Sequence, residues 1–199
     1  MTDAPPTIDA RHTALLVMDY QQGIVGMIDD SDALLARAVE AIDLVRARGG
    51  HVGYVRVAFT AADLQNIPPT SRMGARIASG PEAFMDDSAA TQIDERVAPR
   101  QDDIVVRKSR VGAFSTTDLA QQLADRGIDT LILAGISTSG VVLSTVRDGS
   151  DRDYALYVLS DATADPDPSV HACLMEKVFP RQADVITVAQ LDGLLSAGA

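Results

Sequence analysis

The chain has 199 residues, 46% of them hydrophobic, and its 17 lysines and arginines against 28 aspartates and glutamates give a net charge of −11. This length suits one domain that buries a sizeable core, and we expect that domain to span residues 1–199. The acidic balance, which no long basic run offsets, argues against a nucleic acid partner and favours a small molecule or a protein.

Cysteine usage and the lengths of the apolar runs bear on cellular location. The single cysteine, Cys173, cannot form an internal disulfide, so the fold rests on packing. Residues 1–11 contain two prolines and lack the apolar core of a signal peptide. No later stretch approaches the roughly 18 continuous apolar residues of a membrane span. We therefore expect a cytoplasmic protein with no membrane partner.

Apolar runs rich in Val, Ile and Leu recur at spacings that leave room for a helix between them, which is typical of βα units and a parallel sheet. We predict strands at Thr13–Met18, His51–Val57, Asp103–Arg107, Thr130–Ala134, Tyr154–Leu159 and Asp184–Val188. Helical periodicity predicts helices at Asp32–Arg48, Thr117–Arg126, Ser139–Gly149, Pro168–Val178 and Ala189–Ser196. The first two end at Gly49 and Gly127, where glycine can take a positive φ. This order predicts a three-layer α/β/α sandwich around a six-stranded, mainly parallel sheet.

The segment from Phe59 to Pro99 interrupts the alternation of strands and helices. It contains several prolines and only weak periodicity. An interruption of this length inside a compact domain is usually functional or partly disordered. We predict one short helix near Ser71–Ala78 and a loop that forms a wall of the active site.

Polar residues follow three of the predicted strands at the edge where an open parallel sheet binds its ligands. Asp19 comes directly after the first strand, Lys108 after the third, and the glycine-flanked segment Gly135–Val141 after the fourth. If these strands are neighbours, a carboxylate, an ammonium and a strand-to-helix turn meet in one place, as a catalytic site requires. Taken singly, each has another interpretation: a capping aspartate, a solvated lysine and a tight turn into a helix.

Three segments carry a resemblance to a known family. Leu15–Gln21, Val106–Phe114 and Gly135–Val141 resemble, in order and spacing, the strand followed by D-x-Q, the Lys-then-(S/G)AF segment and the G-x-x-T-x-x-C turn of the isochorismatase-like hydrolases. The run from Asp161 to Arg181 is similar to the C-terminal pattern of that family. The resemblance covers nearly the whole chain and implies a Rossmann-like, isochorismatase-like fold. It also implies a homodimer or homotetramer.

The resemblance implies a role for each matched residue. Asp19 matches the catalytic acid or base, and Lys108 matches the basic residue that holds this carboxylate and polarises the substrate. Ser137, Thr138 and Val141 match the oxyanion turn, which a cis peptide bond enters in the family. Val141 also falls where the family has its nucleophilic cysteine, and valine has no lone pair to offer. A covalent thioester route is therefore closed at this position.

Other nucleophiles are weaker candidates. Cys173 lies among apolar residues in a predicted helix, and we expect it to be a buried structural cysteine. The hydroxyl groups near the turn have no evident base; they belong to Ser137, Thr138, Ser139 and Ser144.

Water is the remaining nucleophile. Asp19 could act as an acid on a vinyl ether, as the resemblance implies for true isochorismatases, which also lack the cysteine. It could instead act as a base that activates water on an amide or imine. The alternative is a catalytically silent member that binds a small metabolite as a binding or regulatory protein.

Substrate contacts and metals are less determined by the sequence. The candidates for substrate contacts are Gln21, Phe59, Arg72, Arg76, Arg110 and Phe114. The arginines could contact a substrate carboxylate or be solvated, and the aromatic residues, with Tyr20, could line an apolar pocket or pack in the core. The three histidines, His12, His51 and His171, are not placed to share a metal. We therefore predict neither a metal nor another cofactor.

Overall fold

Six parallel strands form one sheet at the centre of the protein. The computed structural model describes residues 8–196. Its strands are β1 (Ile8–Asp9), β2 (Thr13–Met18), β3 (His51–Val57), β4 (Ile104–Lys108), β5 (Thr130–Ile136), β6 (Ala155–Ala164), β7 (Asp184–Ile186) and β8 (Leu195–Ser196). The sheet order is β4-β3-β2-β5-β6-β7, while β1 and β8 form a separate parallel pair. The chain therefore reverses its direction of sheet growth between β2 and β5, where such folds bind ligands.

Helices cover both faces of the sheet. They are α1 (Gln22–Val25), α2 (Ser31–Ala47), α3 (Ala61–Gln65), α4 (Arg72–Ala78), α5 (Leu119–Asp125), α6 (Leu143–Ser150), α7 (Pro168–Cys173) and α8 (Val188–Leu194). Two π-helical turns, Thr138–Val142 and Leu174–Val178, lead into α6 and follow α7. Within residues 8–196, no helix is long and apolar enough to span a membrane.

The core has two halves because successive strand residues point to opposite faces. On one face, Leu15 and Val17 pack with buried residues of α2 and α8. On the other, Leu16 and Met18 pack with buried residues of α5 and α6. The predicted three-layer sandwich is thereby confirmed, and the sheet is parallel throughout.

The predicted strands are all present, with differences at their ends. β6 continues to Ala164, five residues beyond the prediction, because its register with β5 shifts between Leu133 and Gly135. The predicted helix Ala189–Ser196 ends at Leu194, since Leu195 and Ser196 pair with β1. Gly49 and Gly127 adopt φ values of 80° and 63°, as predicted.

The segment from Phe59 to Pro99 forms two short helices and several single turns. The predicted helix near Ser71–Ala78 is confirmed as α4, which Ser71 caps. Helix α3 was not predicted, although it begins with a capping box in which Thr60 and Asp63 bond each other's backbone N–H groups. That T-x-x-D spacing is a sequence signal for a helix start.

Candidate active site

The ends of three adjacent strands bring Asp19 and Lys108 together. Asp19 follows β2, and Lys108 is the last residue of β4, which lies two strands away because β3 separates them. The long lysine side chain crosses the end of β3, and its Nζ lies 2.8 Å from Oδ2 of Asp19. Both residues are almost fully buried, with 2% of Lys108 and 5% of Asp19 exposed.

Asp19 occupies an uncommon backbone conformation. Its φ is 59°, in the left-handed region that few residues other than glycine enter, while its N–H donates to the Val55 carbonyl at 2.7 Å. Its buried Oδ1 accepts no hydrogen bond from the described residues. Burial raises the pKa of Asp19 to about 6, because it disfavours the carboxylate more than Lys108 and the nearby Val57 N–H favour it. A carboxyl group with this pKa can give or take a proton near neutral pH.

The Lys108 ammonium is held from two sides. It donates to Asp19 Oδ2 and, at 3.3 Å, to the carbonyl oxygen of Arg110. An ammonium group has three N–H donors. The third N–H has no acceptor among the described residues.

The turn after β5 passes close to β2. A Cβ at Gly135 would lie 3.0 Å from the Met18 carbonyl oxygen and 3.0 Å from Cγ2 of Val142, so a side chain there would have to displace its neighbours. The peptide bond between Ile136 and Ser137 is cis. The π-helical turn Thr138–Val142 begins immediately afterwards.

Side chains from the segment after β6 fix this turn. Oγ1 of Thr138 lies 2.8 Å from Nδ1 of His171, so the Thr138 side chain points away from the pocket. The backbone N–H and the hydroxyl of Ser139 both donate to Oδ2 of Asp165. Burial lowers the pKa of His171, and Asp165 partly counteracts this. Sequence reasoning assigned no site role to Asp165 or His171, although both lie in the C-terminal part of the resemblance.

A pocket of about 440 Å³ opens above Asp19 and Lys108. Ser137 and Val141 line it from the turn, and α4 and the residues after it, Ala83 and Phe84, close another side. Most of the wall is apolar and is contributed by Ile24, Met27, Phe59, Met73, Ile77, Phe84 and Val111. The size and the few polar groups are typical of a small-molecule site.

Three of the six candidates for substrate contacts line this pocket: Gln21, Phe59 and Arg76. The Gln21 side chain, however, is fully engaged in holding the structure together. Its Nε2 donates to the carbonyls of Val57 and Thr91, and its Oε1 accepts from the Val57 N–H. Gln21 thus positions the wall of the pocket, with both of its N–H donors in use.

The other three candidates lie outside the lining of this pocket, and their contact with a substrate stays a prediction. Phe114 is a core residue that stacks on Tyr154 and lies under the Arg152 guanidinium. Arg110 donates to the carbonyl of its neighbour Ser109 at 2.6 Å. Arg72 is exposed at the start of α4.

Two further residues differ from or refine the expectations. Tyr20 is buried, and its hydroxyl donates to the Ala162 carbonyl at 2.5 Å, so it belongs to the core. Cys173 is exposed, and the prediction of a buried cysteine is wrong. The π-helical turn that follows places Leu174 and Met175 against the core instead, and α7 itself has no buried residue.

Metal ligands are dispersed in the part of the chain that the structure describes. Within residues 8–196, no three His, Cys, Asp or Glu side chains are grouped so that they could hold a metal ion.

Comparison with known proteins decides the family. The model of the family described as "Isochorismatase domain" matches residues 13–190, which is most of the chain. The chain belongs to the isochorismatase family. It is 34% identical to the uncharacterized isochorismatase family protein YwoC of Bacillus subtilis, over 87% of this chain and 89% of that protein. A solved isochorismatase family protein from Burkholderia thailandensis superimposes with a TM-score of 0.81 at 26% identity, covering 96% of this chain and 98% of that one.

More distant members of the isochorismatase family carry named activities. A ureidoacrylate amidohydrolase of Methylobacterium radiotolerans is 29% identical over 87% of this chain and 76% of that protein. A probable inactive nicotinamidase of Arabidopsis thaliana is 28% identical over 81% of this chain and 85% of that protein. The isochorismatase family thus contains hydrolases as well as a member described as inactive.

Proposed function

We propose that this protein is a small-molecule hydrolase of the isochorismatase family that uses Asp19, Lys108 and a water molecule instead of a cysteine nucleophile. The observation that carries the proposal is the buried contact of 2.8 Å between Lys108 and Asp19 at the base of the pocket. Burying an ion pair costs free energy that the attraction between the charges does not fully return, so a role at the pocket explains this pair better than a gain in stability does.

The groups around the pocket support water as the nucleophile. Val141 occupies the turn position that matches the family cysteine and is itself buried against the pocket. Cys173 is exposed and is not part of the pocket lining. Ser137 does line the pocket, but none of the described residues accepts a hydrogen bond from its hydroxyl, and His171 is engaged with Thr138. A serine nucleophile would need such a base.

Asp19 can act on a vinyl ether as an acid. In its protonated form it gives its proton to the terminal alkene carbon, and water adds to the oxocarbenium ion that results. The Asp19 carboxylate then takes a proton from that water, and the hemiketal separates into a carbonyl compound and an alcohol. With a pKa of about 6, a useful fraction of Asp19 carries its proton near neutral pH.

Asp19 can act on an amide as a base. In its ionised form it takes a proton from water as the water oxygen attacks the carbonyl carbon, and it returns the proton to the leaving nitrogen. The free N–H of Lys108 donates to the carbonyl oxygen, on which negative charge develops. Asp19 and Lys108 thus supply both a proton carrier and a charge partner in either reaction.

The dependence of kcat/KM on pH tests the role of Asp19. For a vinyl ether, kcat/KM should fall as the pH rises through about 6, because the protonated form is the reactive one. For an amide, kcat/KM should rise through the same pH. Asp19→Asn should lower kcat by about 10²–10⁴-fold on whichever substrate is turned over.

Cys173→Ser is the matched control for thiol chemistry. Cys173→Ser should be as active as the native protein, and iodoacetamide should inactivate neither of the two. Loss of activity in Cys173→Ser would contradict the proposal, as would Asp19→Asn retaining the native rate. If the native protein binds ligands but turns over no vinyl ether, amide or imine of a broad panel, the silent binding protein is the better description.

A further inference from the structure

The charged groups of the pocket do not balance. Asp19, Lys108 and Arg76 are the charged side chains that line it. One carboxylate and two cations leave an excess of one positive charge, although the chain as a whole carries −11. Protonation of Asp19 increases the excess. A ligand with one negative charge would balance the excess.

Arg76 carries the excess charge because it has no protein partner. Arg76 is exposed, and its guanidinium makes no hydrogen bond or ion pair with the other residues between 8 and 196, whereas Arg56 pairs with Asp86 and Arg107 with Asp63. Those two arginines lie on the strands next to the pocket, and their carboxylate partners come from the same insert that contains Arg76. The insert thus supplies carboxylates to other arginines and leaves this guanidinium free.

The position of Arg76 on α4 directs it to the pocket. Met73, Arg76 and Ile77 follow the helical spacing of three and four residues, and all three line the pocket. Arg72 lies on the same helix, outside the lining. The pocket side of α4 therefore presents a guanidinium between two apolar side chains.

We propose that Arg76 binds the carboxylate of the substrate, so that the protein selects small organic monoanions with an apolar body. A guanidinium matches a carboxylate through two parallel N–H bonds, which gives orientation as well as attraction. The pocket wall also contains Phe59, Phe84 and Ile77, which suit an apolar or planar body of the ligand. Arg76 is a specificity residue in this proposal, and it does not take part in bond breaking.

The assignment of the reacting end rests on the proposed function, but the binding of the anion does not. Ligand binding can therefore be measured without turnover. Suitable probes are benzoate, phenylacetate and 3-phenylpropanoate, each compared with its primary alcohol, which has the same apolar body and no charge. The three chain lengths sample different distances between ring and carboxylate.

Dissociation constants from calorimetry at pH 7.5 test the proposal. At least one acid should bind the native protein more tightly than its alcohol. Arg76→Gln should weaken binding of that acid by about tenfold, which is the lower range for a hydrogen bond to a charged group, and should leave the affinity for the alcohol unchanged. Arg76→Lys should recover part of the loss. Arg72→Gln is the matched control, since it removes the same charge from the same helix outside the pocket, and it should bind like the native protein.

Three results would overturn the proposal. The first is that the acids bind no more tightly than their alcohols. The second is that Arg72→Gln and Arg76→Gln weaken binding of the acid equally, which would indicate a general charge effect. The third is that Arg76→Gln weakens binding of acid and alcohol alike, which would indicate a change of pocket shape. Asp19→Asn should still bind the acid. A protein that fails the test of hydrolysis and passes this one is an anion-binding member of the family.

Discussion

Among single residues, Asp19 combines burial with a backbone conformation that aspartate tolerates better than most side chains. Its φ of 59° turns the chain out of β2 and directs the carboxylate toward Lys108. The ammonium offsets only part of the cost of burial, which is why the pKa of Asp19 rises to about 6. The proton on this carboxyl is therefore linked to the stability of the fold as well as to the proposed reaction.

Stability should depend on pH through Asp19. The folded protein holds this proton up to about pH 6, whereas the unfolded chain releases it near pH 3.8. The proton therefore stabilises the folded state fully below pH 3.8, and this stabilisation is lost as the pH rises through 6. The span corresponds to about 3 kcal/mol of unfolding free energy. We expect native stability to fall relative to Asp19→Asn between pH 4.5 and 7 in urea unfolding. Asp29→Asn, at an exposed site, is the control. If the difference in unfolding free energy between the native protein and Asp19→Asn does not change with pH, the prediction is wrong.

The sequence predicted the meeting of Asp19 and Lys108, because both stand at the carboxyl ends of strands. It could not predict their burial, which depends on how the insert closes over them. The exposure of Cys173 was missed for a related reason, and the sequence could not decide between pocket and core for Phe114. Which side of a helix or loop meets the core depends on packing, and a local π-helical turn after Cys173 shifts the residues that face inward.

Among the elements, the junction between β5 and the π-helical turn depends on the absence of a side chain at Gly135. A Cβ there would lie 3.0 Å from both the Met18 carbonyl oxygen and Cγ2 of Val142, so these atoms would have to move by a few tenths of an ångström. One of these obstacles is backbone, which cannot move aside by changing a rotamer. The same junction places Ser137 and Val141 at the pocket, so the close approach of β5 to β2 also sets the shape of the site.

Gly135→Ala should destabilise the protein by about 1–3 kcal/mol through overpacking. Gly193→Ala in α8 is the matched control, since nothing lies within 4 Å of the added methyl group and a helical Gly→Ala change stabilises by about 0.5–1 kcal/mol. Urea unfolding of both variants gives the two free energies. Equal stability of Gly135→Ala and the native protein would show that the junction can relax.

The regular elements were predictable to different degrees. Apolar runs identified all six strands of the main sheet, since a buried parallel strand needs such a run. The pair β1 and β8 was missed because two residues each are too few for any periodicity. The predicted helix Ser139–Gly149 begins as a π-helical turn, whose form depends on the contacts of Thr138 and Ser139 with distant side chains.

In the molecule as a whole, Gln21 joins the sheet to the insert from Phe59 to Pro99. One side chain bonds the end of β3 through Val57 and the insert through Thr91. Because the insert supplies much of the pocket wall, this connection fixes the position of that wall relative to the sheet. The insert could be predicted to form a wall, but its path could not, since its periodicity is weak.

Gln21→Glu should loosen the insert before it unfolds the sheet. The substitution replaces a donor by an acceptor opposite the Val57 and Thr91 carbonyls, and each buried group left unpaired costs about 1–3 kcal/mol. We expect trypsin to cleave this variant faster than the native protein after Arg72 and Arg76, and mass spectrometry of the fragments over time measures the rate. Gln22→Glu introduces the same change at an exposed neighbour, and trypsin should cleave that variant at the native rate. Equal cleavage of both variants would contradict this role of Gln21.

Assembly and cellular location are properties of the whole molecule that stay predictions. We expect a homodimer or homotetramer in the cytoplasm, and sedimentation analysis of the purified protein measures the first. Strand order and layer architecture were accessible from the sequence because they follow from apolar periodicity and chain connectivity. Subunit contacts depend on side chains that the fold leaves at the surface.

The exposed thiol of Cys173 also makes the unaltered protein suited to spectroscopy. It is the single cysteine of the chain, it is exposed, and it lies outside the pocket lining, so a maleimide dye or a spin label attaches at one known position without mutagenesis. His171, two residues earlier, contacts Thr138 in the turn beside the pocket. A label there would report on rearrangement of that turn when a ligand enters, in the native sequence and in real time.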